Sequence, residues 1–224
     1  MSAETLNTAK LFEFVGERCG LPLVGVAPTA RLLCKIDDEI LAVARKLDYA
    51  VVIGHPLSRA VLETIADRPN LIYKHHYQQV NWRLDRTELD IALYLQMLGA
   101  NALPIPASVI VDWQGQRGHL SHRDAAIEAG LGWRGRHGLV VTREFGAQIR
   151  FATILTDLPL IAGEPISGNC GTCRACIEAC PAGAISDAGC DVAKCYEKLH
   201  GFSKISGIGQ YICGVCIKAC KGKG

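Results

Sequence analysis

Nine of the chain's eleven cysteines fall between Cys170 and Cys220, and that crowding constrains what the chain can fold into more than any other feature. The stretch NCGTCRACIEACPAG sets Cys170, Cys173, Cys176 and Cys180 at C-x2-C-x2-C-x3-C spacing, with Pro181 directly after. A second stretch, ICGVCIKACKGKG, sets Cys213, Cys216 and Cys220 at C-x2-C-x3-C, one cysteine short of the first. Cys190 and Cys195 lie between the two, and Cys19 and Cys34 lie far upstream. The N-terminal MSAETLNTAKLFEFVGERCG has an early acidic residue and reads as an amphipathic helix rather than an export signal. In a reducing compartment thiols stay thiols. Cysteines crowded in this way are then metal ligands rather than disulfides.

Two-residue gaps let three thiolates of a tight loop converge on one cubane. The fourth cysteine falls at the start of the next helical turn, and Pro181 redirects the chain. In two-cluster ferredoxins with this spacing the fourth thiolate serves the other cluster. By that crossing, Cys170, Cys173, Cys176 and Cys220 hold one [4Fe–4S] cluster, while Cys180, Cys213 and Cys216 hold the other. Its remaining ligand is Cys195 or Cys190, and spacing alone leaves both open. The small residues Gly171, Ala175, Ala179, Ala182 and Gly183 let backbone amides approach the sulfides. Zinc ribbons use two distant C-x2-C pairs, which this run does not match. A single cluster with leftover thiols is the other use of so many cysteines. Lys221 stands where a proline usually follows, and the chain ends soon after, so Cys220 is expected on an end prone to fray.

Lys and Arg total 24 against 22 Asp and Glu, which gives no basic nucleic-acid footprint. No apolar run approaches the roughly 20 residues of a membrane helix. A soluble cytoplasmic protein is expected. Residues 1–165 are too many for a bare ferredoxin and read as mixed helix and strand. The patterns predict helices over 4–18, 36–47, 76–98 and 121–130 and strands over 21–28, 49–56 and 101–108. A strand, a turn at Phe145-Gly146 and a second strand are predicted over 137–157. In the long helix Val80, Leu84, Ile91, Leu95 and Leu98 fall on one face. Ser121 is the expected N-cap of the last helix, with Asp124 at its third position. The predicted division is an α/β cofactor- or substrate-binding domain over 1–165 and a two-cluster ferredoxin-like domain over 166–224.

Several motifs occur in one order: AGLGWRGRHGLVVTREFG, ATILTDLPL, CGTCRACIEACPAGAI, AKCYEKL and CGVC. Together they resemble the epoxyqueuosine reductase family, over roughly residues 70–220. That family is similar in its core to the reductive dehalogenases. The resemblance implies an α+β architecture: a nitroreductase-like, cobalamin-binding-type domain followed by a double [4Fe–4S] module. It implies electron flow from an external donor, such as a ferredoxin or flavodoxin, through the clusters to a corrinoid that reduces a small-molecule substrate. It also implies Cys195 rather than Cys190 as the eighth ligand. The family's catalytic aspartate lies in a VDS stretch, and here an ungapped match to VDWQGQRGHLSH puts Gln116 at its place. Full-length members continue into a helical-repeat domain that helps hold transfer RNA, so transfer RNA is not expected as a partner of this shorter chain.

Asp112 is the candidate proton donor, a carboxyl able to serve a reduced cofactor, with a loop-capping role as the structural alternative. His122, in a histidine group with His119 and His137, is the second catalytic candidate. Trp133 is expected to stack on a flat macrocycle, and Arg134 and Arg136 to meet propionamides or phosphate, with His137 beside them. Ordinary core packing for Trp133 and a solvated surface for the arginines are the alternatives. Three functions compete: a corrinoid-dependent reductase, an electron-transfer or corrinoid-activating protein without its own substrate, and a flavin-dependent reductase.

Overall fold

The computed structural model describes residues 2–113 and 115–222. The chain forms two compact units, each discontinuous in sequence. The first comprises Met1–His55, Asn81–Leu131 and Arg150–Ile166, and the second Pro56–Val80, Gly132–Ile149 and Ser167–Gly224. The contiguous division at 165/166 therefore needs correcting, because residues 56–80 and 132–149 pack with the cysteine region. No helix among the described residues is long and apolar enough to cross a membrane.

The first unit is built on a four-stranded sheet. Its strands are β1 (Leu23–Pro28), β2 (Tyr49–Pro56), β3 (Ala102–Ile105) and β6 (Ile149–Thr156), in the order β1-β2-β6-β3. β1 pairs antiparallel with β2, Val24 opposite Ile53 and Val26 opposite Val51, and β3 pairs antiparallel with β6. Ala50, Val51, Val52 and Ile53 have no exposed surface, which is why β2 reads as a continuous apolar run rather than an alternating one.

The longer helices are divided between the two units. α1 (Ala3–Glu13) is capped by Ser2, and its last turn widens into a π-helix over Phe14–Arg18. α2 (Asp38–Ala44) is capped by Asp37. α3 (Arg59–Glu63), capped by Ser58, is a helix the sequence patterns do not predict. α4 (Leu71–Met97) begins five residues before the expected start. The reason is Asn70, whose side chain accepts from Tyr73 N at 2.8 Å and donates to the Thr64 carbonyl. Leu84, Ile91 and Leu95 are wholly buried on α4, so cutting Leu95 to Ala would cost about 2–5 kcal/mol. Leu98 departs from the expected face; it lies past the helix end and is exposed. α5 (His122–Glu128) has the expected cap, with Ser121 Oγ accepting from Asp124 N.

A polar cluster lies beneath β6. Glu88, 2% exposed, accepts from Thr153 N at 2.9 Å. Asp85 accepts from Ala107 N, and Arg150 donates to Asn81 at 2.6 Å. Burial, with a smaller push from Asp85, raises the Glu88 carboxyl to about 9, against the amide bond from Thr153. Glu88 is therefore protonated at neutral pH when folded and ionised when unfolded. The folded state binds the extra proton, so its contribution falls as pH rises from about 4.5 to 9, by at most about 1.4 kcal/mol per unit.

The second unit holds the short elements. β4 (Trp133–Arg134) and β5 (Val140–Val141) form a two-stranded ribbon. α6 (Ala175–Ala179) leads to the hairpin β7 (Ile185–Ser186) and β8 (Gly189–Cys190). α7 (Val192–Ser203), capped by Asp191, and α8 (Val215–Ala219) complete it. The strand expected from residue 137 is reduced to β5, because Thr142 and Gly146 close a tight turn ahead of β6.

Glu88→Gln keeps an acceptor for Thr153 and removes the ionisation. Denaturant unfolding of the variant between pH 5 and 9 is expected to lose most of the alkaline decline seen for the parent chain; parallel curves would refute the assignment.

Candidate metal centre

α6 and α8 pack against each other, and each ends on a cysteine. Cys180 and Cys220 are their C-cap residues, both with extended backbone (φ −65°, ψ 112° and φ −94°, ψ 101°). The incomplete second motif is thus a structural repeat of the first. Cys195 sits on the first turns of α7, and Cys190 ends β8.

The thiols sort into two neighbourhoods. The Cys176 thiol is pushed up by burial and then by Cys220, Cys170 and Cys173. Cys220 is pushed up by burial, with Cys170 and Cys173 adding to it, while the amides of Ala147 and Gly222 pull the other way. Burial raises Cys195 to about 11, helped by Cys190, Cys213 and Cys180. Burial also raises Cys216, helped by Cys213, Cys195 and Cys180 before Cys176. One group is therefore Cys170, Cys173, Cys176 and Cys220; the other is Cys180, Cys195, Cys213 and Cys216, with Cys190 beside Cys195. Among the described residues no three metal-binding side chains converge as around a single ion. A cubane does not require that, since each thiolate binds its own iron. Crowded, desolvated thiols hold their protons, and only a metal that replaces those protons makes the site favourable.

Cys220 is not on a loose end. Ala147 N donates to its carbonyl, and Gln148 Nε2 donates to the Lys218 carbonyl. Lys218 Nζ donates to the Ile65 carbonyl at 2.7 Å and pairs with Glu63. Gly146, at φ +58°, has no room for a side chain because Cys220 O and Gly222 N lie against it. The fraying expected at this terminus is thus countered by residues 63–65 and 146–148, which carry no spacing signal in the sequence.

The other candidates sit as follows. Asp112 Oδ1 accepts from Gly115 N and Oδ2 from Arg117 Nε and Nη2, in a small hairpin of the first unit. Gln116 is at the tip, in the left-handed region at φ 51°. His122 meets Thr153 Oγ1 through Nδ1 and the Pro106 carbonyl through Nε2. That carbonyl only accepts, so Nε2 carries the proton. Burial lowers the ring to about 4. Neither Asp112 nor His122 holds out a proton as placed. His119 pairs with Glu39 at 2.9 Å.

Trp133, Arg134, Arg136 and His137 are in the second unit, with the cysteines. The Trp133 ring is buried against Gly168, where an added Cβ would lie 2.5 Å from Cδ2. Arg136 is not a solvated surface residue. Its guanidinium donates to the Cys173 carbonyl at 2.7 Å and the Gly171 carbonyl at 2.8 Å, and Nε meets Asp187 at 3.2 Å. Asp187, unpredicted, also pairs with Arg174. Arg134 donates to the Gly138 carbonyl and is exposed. In the first unit a cleft of about 680 Å³ opens beside the π-helix, lined by Lys10, Phe14, Arg18, Cys19, Asp90 and Tyr94. Phe14 and Tyr94 stack there with centroids 4.3 Å apart.

Solved structures of a reductive dehalogenase and of epoxyqueuosine reductases share this fold. The catabolic reductive dehalogenase NpRdhA, solved with 3-bromo-4-hydroxybenzoic acid, matches 90% of this chain and 30% of its own at TM-score 0.69 and 21% identity. An epoxyqueuosine reductase solved with an epoxyqueuosine-modified transfer RNA stem loop matches the whole chain and 67% of its own, at TM-score 0.65 and 19% identity. No family model matches the chain. Among curated proteins, the epoxyqueuosine reductase of Bacillus anthracis is 29% identical over 203 residues, 85% of this chain and 52% of that protein. The chain is thus similar to the epoxyqueuosine reductases, as its motifs imply, and spans about half the length of the curated relatives it matches.

Gly146→Ala forces a side chain onto the Cys220 carbonyl and into a left-handed backbone, a strain of about 1–2 kcal/mol before the clash. Iron and sulfide analysis after reconstitution should show a loss of up to half the iron. Gly16→Ala, where an added Cβ meets nothing within 4 Å, should lose none.

Proposed function

We propose that this chain is the two-cluster iron–sulfur core of a reductase. Cys170, Cys173, Cys176 and Cys220 hold one [4Fe–4S] cluster, and Cys180, Cys195, Cys213 and Cys216 the other. Such clusters, when bound, accept and release single electrons. The reading is carried by the sorting of the thiols into two groups that exchange their C-cap cysteines. The electrons come from an external donor such as a ferredoxin or flavodoxin and serve a cofactor or substrate of the first unit. The second unit, in which residues 56–80 and 132–149 join the cysteine region, carries the clusters, and the first unit carries the cofactor or substrate.

For the acceptor, a corrinoid is the first choice because of the dehalogenase neighbours, one of which is titled for a B12-dependent mechanism. The residues expected to meet a macrocycle do not fit one as placed. Trp133 is covered by Gly168 and Arg136 is held by two carbonyls and Asp187. A flavin or a partner-bound corrinoid is the competing acceptor. Transfer RNA, not expected from the sequence, stays a substrate to test because one neighbour was solved with a modified stem loop.

Reconstituted protein is expected to hold roughly eight irons per chain, as two four-iron clusters require. Cys195→Ser should drop the count by about half and Cys190→Ser should not; the reverse would move the eighth ligand to Cys190. Four irons in the parent chain would defeat the two-cluster reading. Anaerobic cob(II)alamin added to the loaded protein should change its electron paramagnetic resonance spectrum at stoichiometric protein. An unchanged spectrum, with clusters intact, excludes a corrinoid pocket and directs the test to flavin.

A further inference from the structure

Among the described residues, four buried side-chain polar atoms have no hydrogen-bond partner, and two belong to one short ribbon: Trp133 Nε1 and His137 Nε2. Leaving a buried N–H unpaired costs about 1–3 kcal/mol, so two within five residues call for a reason. Both atoms are donors. The indole nitrogen always is. The imidazole is fixed by its other nitrogen: Leu139 N donates to His137 Nδ1 at 3.1 Å, so the ring proton is on Nε2. Burial lowers the ring to about 4, which keeps it neutral near pH 7.

The two donors lie on one face of the ribbon. Trp133 pairs with Val141 across β4 and β5, and cross-strand partners share a face. A Cβ on Gly135 would lie 2.7 Å from both Val141 Cγ2 and His137 Cε1, so the imidazole is on that face too. The ribbon is pinned against the cysteine segments of its own unit. The Trp133 ring covers Gly168, two residues before Cys170. Arg136 holds the carbonyls of Gly171 and Cys173. Gly138 faces Cys190 Cβ, 3.8 Å from an added Cβ. Amide donation to sulfur already occurs in the same unit, from Ala184 N to Cys180 Sγ at 3.4 Å.

We propose that Trp133 Nε1–H and His137 Nε2–H are hydrogen-bond donors to sulfur of the iron–sulfur centres, and that the ribbon is a device for setting their reduction potentials. This rests on the two-cluster reading. An N–H···S bond favours the more negative, reduced cluster and so raises its potential. The two side chains are positioning and tuning groups and take no part in bond making. Their unpaired state then has a cause: their acceptors are the sulfides and thiolates of the bound clusters.

The test is a potentiometric titration followed by electron paramagnetic resonance, on loaded parent chain, Trp133→Phe, His137→Leu and His137→Gln, each at measured iron content. Trp133→Phe and His137→Leu should each move a cluster midpoint to more negative potential with iron content unchanged. His137→Gln, which keeps an N–H near the Nε2 position, should recover part of the shift. Unmoved midpoints in Trp133→Phe and His137→Leu at full iron content would overturn the proposal while leaving the two-cluster reading intact; a shift in only one confines it to that residue. If either variant fails to load, exchangeable-deuteron coupling to the reduced clusters of the parent chain decides. Couplings only from backbone amides overturn the proposal, whereas an exchangeable coupling that changes on selective 15N labelling of tryptophan or histidine side chains upholds it. Low iron in the parent chain itself would instead defeat the underlying reading.

Discussion

A five-residue helix does not hold itself in water, and α6 and α8 are both that short. They are fixed by each other and by the cysteines they carry. Each helix delivers thiols from within its turns to one neighbourhood and caps itself with a cysteine of the other. Neither helix is complete without its partner, and the same crossing leaves desolvated thiols that favour a metal over their own protons. The rest of the second unit is arranged around this pair. Residues 63–65 hold Lys218, the turn at 142–148 holds Cys220, and Arg136 holds the loop between Cys170 and Cys173.

The first unit follows a different logic. Its sheet is held by apolar strands and an amphipathic helix, in the ordinary way. The departures are polar and lie beneath β6, where Arg150 donates to Asn81, and Glu88 and Asp85 each accept from a backbone N–H. Such a group needs complete pairing, since an unpaired charge there would destabilise the fold. His122 belongs to this network through Thr153, which is why a histidine that looks catalytic in sequence is neutral and engaged in the structure.

The elements legible in the sequence were those with local causes. Ser121 and Asp124 gave a cap and a helix start because their bond spans three residues. β2 was legible because a run of β-branched residues at that length has few alternatives. The start of α4 is not legible in sequence because Asn70 caps it partly through Thr64, across a turn. The role of Arg136 is not legible because its acceptors are backbone carbonyls 35 and 37 residues away, and a carbonyl has no signature in sequence. Glu88 looked like any helix glutamate; only packing beneath β6 desolvates it.

The cysteine spacing by itself sets the expectation of thiolate ligands and of a crossing between the two motifs, because two- and three-residue gaps restrict where thiols can point. The order of the motifs from AGLGWRGRHGLVVTREFG to CGVC carried the family resemblance. The tertiary structure decided what surrounds those thiols: which distant segments close the unit, how the terminal cysteine is tied down, and which N–H groups of the ribbon are buried without a partner. Those are long-range contacts made through backbone carbonyls and missing side chains, and their energies depend on neighbours that only folding brings together.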